Sequence, residues 1–423
     1  MSVYSRPVPG LVMIDHTIDV PLDWSRPEGA TISIYAREVR GTENADHELP
    51  WLLFLQGGPG GKSPRPLSRS GWLDAALAQY RVLLLDQRGT GRSTPITARM
   101  ARAMNAAQLA AYLEHHRAPS IVRDAEAFRA TIGGAAPWST LGQSYGGFCT
   151  LSYLSIAPEG LAKCLITGGI PPIGFAADQV YERTWQQVLA KNAEYFRRFP
   201  GDRGILNAIR DHLSENSPAR LPGGDRLTVN RLQALGIAFG GSTGFAQVHY
   251  LLEEAFDGPE LSATFLAAVE NATSQATSPL YALLQEAIYC EGISSRWAAT
   301  RTRADCADLA TTATNLLFTG EMMERWRFTD QAALAPFVEV ADLLHAKSDW
   351  GPLYDRSRLA ENSVPVAAAV YYDDMYVEAG ASLAAAQEVP LLRPWVTNEY
   401  EHDGLRNDTA VFLHLHDLAT GRA

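Results

Sequence analysis

The pentapeptide Gly142-Gln143-Ser144-Tyr145-Gly146 constrains this chain most, because it fits G-x-S-x-G and stands between two segments of different character. Upstream, Trp138 to Leu141 is a short strand-like run. Downstream, Phe148 to Ile156 is apolar and long enough for a helix. A nucleophile elbow needs this strand, sharp turn and helix. Small residues flank the serine so that the turn can close, and the hydroxyl then projects above a sheet with a helix N-terminus behind it. Taken alone the motif is weak, since glycine-rich βα turns occur without any chemistry. Its weight depends on what stands elsewhere in the chain.

A chain of 423 residues is too long for one simple core. It implies two or three domains, or one large α/β unit with an insertion. A hydrophobic content of 46% with 20% charged residues is that of a soluble globular protein. The formal charge of −11 argues against a nucleic-acid partner. No apolar run approaches the roughly 18 residues of a membrane span, and Met1 to Gly10 carries no leader-like apolar stretch. The cysteines, Cys149, Cys164, Cys290 and Cys306, have no C-x-x-C spacing and are expected reduced and mostly buried. A cytoplasmic protein with neither membrane nor nucleic-acid partner is expected.

Two strand-like runs, Thr17 to Leu22 and Thr31 to Val39, flank a Pro-Glu-Gly turn and predict an antiparallel hairpin. The continuous apolar runs Trp51 to Leu55 and Arg81 to Leu85 suit parallel strands buried on both faces. Gln56-Gly57-Gly58-Pro59-Gly60 follows the first of these. In an elbow hydrolase this loop donates one N–H to an oxyanion, and the residue after the nucleophile, here Tyr145, donates the other. The continuation Gly61-Lys62-Ser63 narrowly misses a P-loop, which needs Gly where Gln56 stands. Asp86-Gln87-Arg88-Gly89-Thr90-Gly91-Arg92-Ser93 follows the second run, and its Asp86 and Arg88 are read as structural. A helix is predicted over 119–131 and a strand from Leu161 towards Ile170, closed by Pro171-Pro172.

From about 173 to 345 helical patterns dominate, in Val180 to Phe199, Ala246 to Phe256, Leu261 to Glu270, Leu280 to Tyr289 and Ala332 to Ala346. Strand patterns return at Val364 to Tyr372 and Leu391 to Val396, before a helix from about Asp408 to Leu418. The order predicts an α/β fold with a mostly parallel central sheet and a lid domain spliced into it. Residues 1–172 and 346–423 form its core, and 173–345 form a mainly helical lid inserted after the sixth strand.

If Ser144 is a nucleophile, a carboxylate and then a histidine should follow it in chain order. Asp373 and Asp374 both stand just past a strand, in Val370-Tyr-Tyr-Asp-Asp-Met-Tyr-Val377. His402 lies in an Asp/Gly loop before the final helix, where the base belongs. His414 and His416, two apart on a helix, cannot share a face and do not suggest a metal pair.

Together, Gln56 to Gly60, Asp86 to Ser93 and Gly142 to Gly147 resemble the proline iminopeptidase family of α/β-hydrolases. Gln56, Pro64-Arg65-Pro66, the Tyr-Tyr-Asp-Asp-Met-Tyr-Val run and Glu401-His-Asp-Gly-Leu405 resemble its longer-chain subgroup. The resemblance makes Asp374 the triad member, although the usual glycine of the family's G-R-x-D segment is missing. It implies a Ser144–His402–Asp374 triad, an oxyanion hole from the N–H groups of Gly58 and Tyr145, and no metal or organic cofactor. The implied activity is release of an N-terminal residue, preferentially proline, from short peptides. An esterase, or a peptidase of broader or tripeptidyl specificity, is the alternative.

In that family, lid glutamates and carbonyl oxygens of the Gly-Gly-Pro-Gly loop, here including Gly57, hold the substrate's free cationic amine. Two lid carboxylates stand in otherwise apolar sequence, Glu286 and Glu321, where burial is expensive without a partner. Both are expected at the amine; Glu291, Glu324 and Glu182 are weaker candidates.

Overall fold

A computed structural model describes residues 2–5, 8–134, 136–215 and 219–422. The two apolar runs form strands with the bounds read from sequence, β4 at Trp51–Leu55 and β5 at Arg81–Leu85. The hairpin strands are longer than expected, β2 at Leu11–Pro21 and β3 at Thr31–Gly41, paired antiparallel from Leu11↔Gly41 to Pro21↔Thr31. A strand absent from the sequence reading, β1 at Ser2–Ser5, pairs antiparallel with β2. The elbow strand β6 is Trp138–Gln143 and the next, β7, is Leu161–Thr167. A two-residue ribbon follows far downstream, β8 at Phe256–Asp257 with β9 at Glu260–Leu261. The last strands are β10 at Val366–Tyr371 and β11 at Leu392–Thr397.

One nine-stranded sheet joins all but the ribbon, in the order β1-β2-β3-β5-β4-β6-β7-β10-β11. From β5 to β11 every pairing is parallel. Parallel strands are covered on both faces, so β4, β6 and β10 are buried along their whole length. The edge strand β11 buries only its terminal residues and carries Pro394, which blunts the open edge.

Two apolar layers sandwich the sheet. On one face the helices Ala118–Ile132 and Tyr145–Ile156 pack over Ile34, Leu53, Leu83 and Val366. On the other, the helices Gly71–Leu77 and Thr409–Thr420 cover Leu52, Leu84, Leu141 and Ala367.

Between β7 and β10 the regular structure is helical apart from the β8–β9 ribbon, beginning with Ala177–Arg198 and including Gly244–Glu253, Ala263–Thr273 and Val338–Ala346. This insert has an aromatic-rich core of its own around Trp185, Tyr195, Phe239, Phe265 and Phe318, which takes in Met375 from the loop after β10. Because of β1, the insert follows the seventh strand and not the sixth as expected.

Asp86 and Arg88 tie the loops at the carboxyl ends of the strands. Asp86, fully buried, accepts from Arg65, from the N–H of Ser63 at 3.1 Å and from that of Arg92 at 2.9 Å. Arg88 is 1% exposed. Its guanidinium forms a two-pronged pair with the buried Asp124 and donates to the carbonyls of Leu22 and His115. Arg88→Met would strand the Asp124 carboxylate, so it should destabilise the protein by about 3–5 kcal/mol. Urea unfolding measures this, and adding Asp124→Asn should recover part of the loss.

Candidate active site

Backbone crowding fixes the elbow. A Cβ on Gly142 would stand 2.4 Å from the Gly146 carbonyl oxygen, and one on Gly146 would stand 1.9 Å from that of Leu55. No side chain fits at either place. Ser144 sits at φ 55°, ψ −125°, a conformation a non-glycine residue holds only when its surroundings impose it. Its N–H donates to Thr167 at 2.9 Å, and its carbonyl accepts from Gly147 at 2.7 Å. Ser144 keeps accessible surface while its neighbours on both sides are buried.

The loop after β4 closes on the serine: a Cβ on Gly57 would meet Ser144 Cβ at 2.9 Å. Among the described residues, the N–H groups of Gly58 and Tyr145 have no acceptor, and the Gly57 carbonyl has no donor. Tyr145 opens the helix Tyr145–Ile156, whose first N–H groups lack intrahelical partners.

Asp374 lies in the turn after β10, where its N–H donates to the Tyr371 carbonyl. It is 1% exposed. Its Oδ1 accepts from the N–H groups of Tyr376 at 2.8 Å and Val377 at 3.0 Å. Its Oδ2 lies 2.6 Å from His402 Nδ1. Asp373 is exposed, so of the two carboxylates Asp374 is the one paired with the histidine.

His402 and Ser144 flank one glycine pair. A Cβ on Gly168 would stand 3.0 Å from His402 Nδ1, and one on Gly169 would stand 2.2 Å from the Ser144 carbonyl oxygen. His402 Nε2 has no partner among the described residues. Burial works against the imidazolium, but Asp374, by charge and hydrogen bond, and Glu321, by charge, outweigh it and raise the His402 pKa. Tyr376 stands edge-on to the imidazole with ring centres 4.9 Å apart.

The helical insert holds the histidine loop at three consecutive residues. Glu401 pairs with Lys191 at 2.5 Å, the His402 N–H donates to Gly240 at 3.1 Å, and Asp403 accepts from the Ser242 hydroxyl at 2.6 Å.

Glu321 is surrounded by protein yet remains partly accessible, as a group lining a cleft is. Burial pushes its carboxyl up to about 7, against the lowering influence of His402 and of the Tyr281 hydroxyl, which donates to it at 2.8 Å. Nearby, Gly320 packs against Met375, next to Asp374.

Glu286 requires a correction. It is 1% exposed, and both its oxygens are engaged. They accept from the N–H groups of Ala298 and Ala299, at the start of the helix Ala298–Ala304, and Oε2 also meets His345 Nδ1 at 2.9 Å. Glu286 therefore caps a helix, with both carboxylate oxygens already taken, and its charge is also felt by Tyr181 and Tyr289. Glu291 accepts from the N–H groups of Leu353 and Tyr354, Glu324 pairs with Arg303, and Glu182 is exposed.

Sequence alone offers too many aromatics to say which of them gather around Glu321. Tyr181, Tyr281, Tyr289 and Tyr376 all feel the Glu321 charge, which contributes to raising their hydroxyl pKa values. Phe148, Tyr289 and Tyr181 follow one another in edge-to-face contacts at 6.1 Å. No spacing rule marks these rings, since they come from four separate segments. Among the described residues no group of three His, Cys, Asp or Glu side chains could hold a metal ion.

The chain has the α/β-hydrolase fold, and residues 50–221 match the family model described as alpha/beta hydrolase fold. It is 49% identical to a proline iminopeptidase of Aeromonas sobria over 93% of each chain. It is 36% identical to a proline iminopeptidase of Aspergillus aculeatus, over 92% of this chain and 89% of that one. A tripeptidyl aminopeptidase of Streptomyces coelicolor is 25% identical over 42% of this chain and 41% of its own. Within the α/β-hydrolases, the chain belongs to the proline iminopeptidase family.

Asp374 and Asp373 give opposite expectations. Asp374→Asn should lower kcat by about 10³–10⁴, since an amide cannot hold the imidazole tautomer. Asp373→Asn should change it less than about threefold, as surface substitutions do. Steady-state turnover of both variants decides the assignment.

Proposed function

We propose that this protein is a serine exopeptidase that releases an N-terminal residue, preferentially proline, from short peptides. Ser144 Oγ attacks the first peptide carbonyl, and His402 takes its proton and returns it to the departing amine. Asp374 holds the imidazole tautomer and stabilises the imidazolium. The N–H groups of Gly58 and Tyr145 receive the oxyanion, where loss of one donor would cost about 3–4 kcal/mol of barrier. Water then hydrolyses the acyl-enzyme, with His402 again as base.

The observation that carries the exopeptidase reading is Glu321, an accessible but enclosed carboxylate coupled to His402 and braced by Tyr281. Keeping an anion in such surroundings is costly, and a bound ammonium ion removes much of the cost. The Gly57 carbonyl adds an acceptor on the same side of the serine as the β4 loop. The tyrosine wall offers flat apolar surface to a pyrrolidine ring. In this reading residues 173–345 act as the lid that carries the amine-binding pole.

The test is turnover of prolyl-, alanyl- and leucyl-naphthylamide, N-acetylprolyl-naphthylamide and p-nitrophenyl acetate. Preference for free proline with no cleavage of the acetylated form supports the reading. Comparable rates on the acetylated substrate or the ester would leave the triad standing but remove the amine-binding role of Glu321 in the lid, and release of tripeptides from longer peptides would make the protein a tripeptidyl peptidase. Glu321→Gln should raise KM for prolyl-naphthylamide about 10- to 100-fold, the range expected for losing a hydrogen bond to a charged group. It should affect the ester far less.

The pH dependence follows from the same groups. Glu321 is anionic above about 7, and His402 must be neutral to act as base. For the free amine, kcat/KM should therefore rise through pH 7, then fall as the substrate amine loses its proton, above about pH 8 for an ordinary α-amino group. The ester should show only the rising limb, set by His402. Because Glu321 helps hold the His402 pKa up, Glu321→Gln should shift that ester limb to lower pH.

A further inference from the structure

A groove of about 450 Å³ lies between the loop after β4 and the loop after β5. Gly60, Gly61 and Lys62 form one wall, Gly89 to Gly91 with Ile96 and Thr97 the other, and Thr277 to Leu280 of the insert the roof. We propose that this groove receives the leaving portion of the substrate, and that Lys62 binds the free carboxylate of a short peptide there. The proposal rests on the exopeptidase reading and extends it to the opposite end of the substrate.

Position is the first argument. In the sheet β5, β4 and β6 are neighbours, and all three loops emerge at carboxyl ends of parallel strands. Gly57 touches Ser144, while residues 60–62 of the same loop have turned toward the β5 loop. The groove is thus one to two strand spacings from the nucleophile, about 5–10 Å. Extended peptide advances about 3.3–3.6 Å per residue. A leaving group of two or three residues would place its C-terminal carboxylate in the groove.

Charge is the second. The chain carries a net −11, yet no acidic side chain lines the groove. Lys62 is its one cation and has no carboxylate within ion-pair distance among the described residues. Nearby Asp86 is satisfied by Arg65, Ser63 and Arg92. Lys62 is exposed and leaves the chain beside Gly91, where a Cβ would meet Lys62 Cβ at 3.0 Å. Thr97, Thr277 and Ser278 add hydroxyls to the lining.

The third is the link to the amine pole. A Cβ on Gly60 would meet the Tyr281 N at 2.7 Å, and the Tyr281 hydroxyl holds Glu321. One short segment, 280–281, therefore separates a negative pole for the amine from a positive pole for the carboxylate.

The experiment compares kcat/KM on Pro-Ala-Ala with its C-terminal amide, alongside prolyl-naphthylamide. The wild-type protein should prefer the acid over the amide by about fivefold, the range of an exposed ion pair. Lys62→Met should bring the ratio to about one, Lys62→Glu should invert it, and Lys62→Arg should retain it. Raising salt should shrink the wild-type preference. A wild-type ratio of one, or a ratio that Lys62→Met and Lys62→Glu leave unmoved, overturns the assignment of Lys62. If the wild-type protein cleaves neither prolyl-naphthylamide nor Pro-Ala-Ala, the exopeptidase reading itself fails, whatever Lys62 does.

Discussion

The contact between Gly146 and the Leu55 carbonyl governs the site. Ser144 can hold its strained backbone only because the turn around it is crowded by main-chain atoms, with no space for a Cβ at Gly142 or Gly146. That closeness comes from β4 and β6 being neighbours in a parallel sheet. The same neighbour relation brings the β4 loop against the serine, so Ser144 and the N–H groups proposed to receive the oxyanion are set by one packing event. Geometry of this kind is in place before substrate arrives, which is the condition under which fixed dipoles lower a barrier most.

Around this rigid turn the charges are unevenly arranged. Asp374 is buried but satisfied by two N–H groups and the imidazole. Glu286 is buried and satisfied by a helix end and His345. Glu321 alone keeps an incomplete set of partners, and its carboxyl is raised to about 7. Three enclosed acids thus differ in the number of donors each finds, and the one with fewest is also the one that keeps accessible surface. That under-satisfied carboxylate is the one proposed to receive the substrate's cationic amine.

That distinction marks the limit of the sequence. The strands β4 and β5 were legible to the residue, because an uninterrupted apolar run between turns has few other fates in an α/β chain. The elbow, the carboxylate turn and the histidine loop were legible through order and context. Glu286 and Glu321 looked alike, since each is an acid in apolar sequence. What separates them is the main chain of residues 298 and 299 and the ring of His345, none of which Glu286 announces. Asp373 and Asp374 are adjacent, and only the turn after Tyr371 decides which of them goes inward. Strand β1 escaped because Ser2 to Ser5 is too short to show a period.

The histidine loop carries a further consequence. Residues 401, 402 and 403 are each fastened to the insert, while the His402 imidazole is held by Asp374 in the turn after β10, a strand of the sheet that carries Ser144. The loop of His402, the proposed base, is thus held between two separately packed bodies, and the insert has its own aromatic core. Loosening of the insert by heat or mild denaturant would free the main chain of the histidine loop while the sheet stays intact, leaving the imidazole with Asp374 as its remaining anchor. Loss of turnover would then run ahead of loss of secondary structure, making catalysis the earliest reporter of disorder in this molecule.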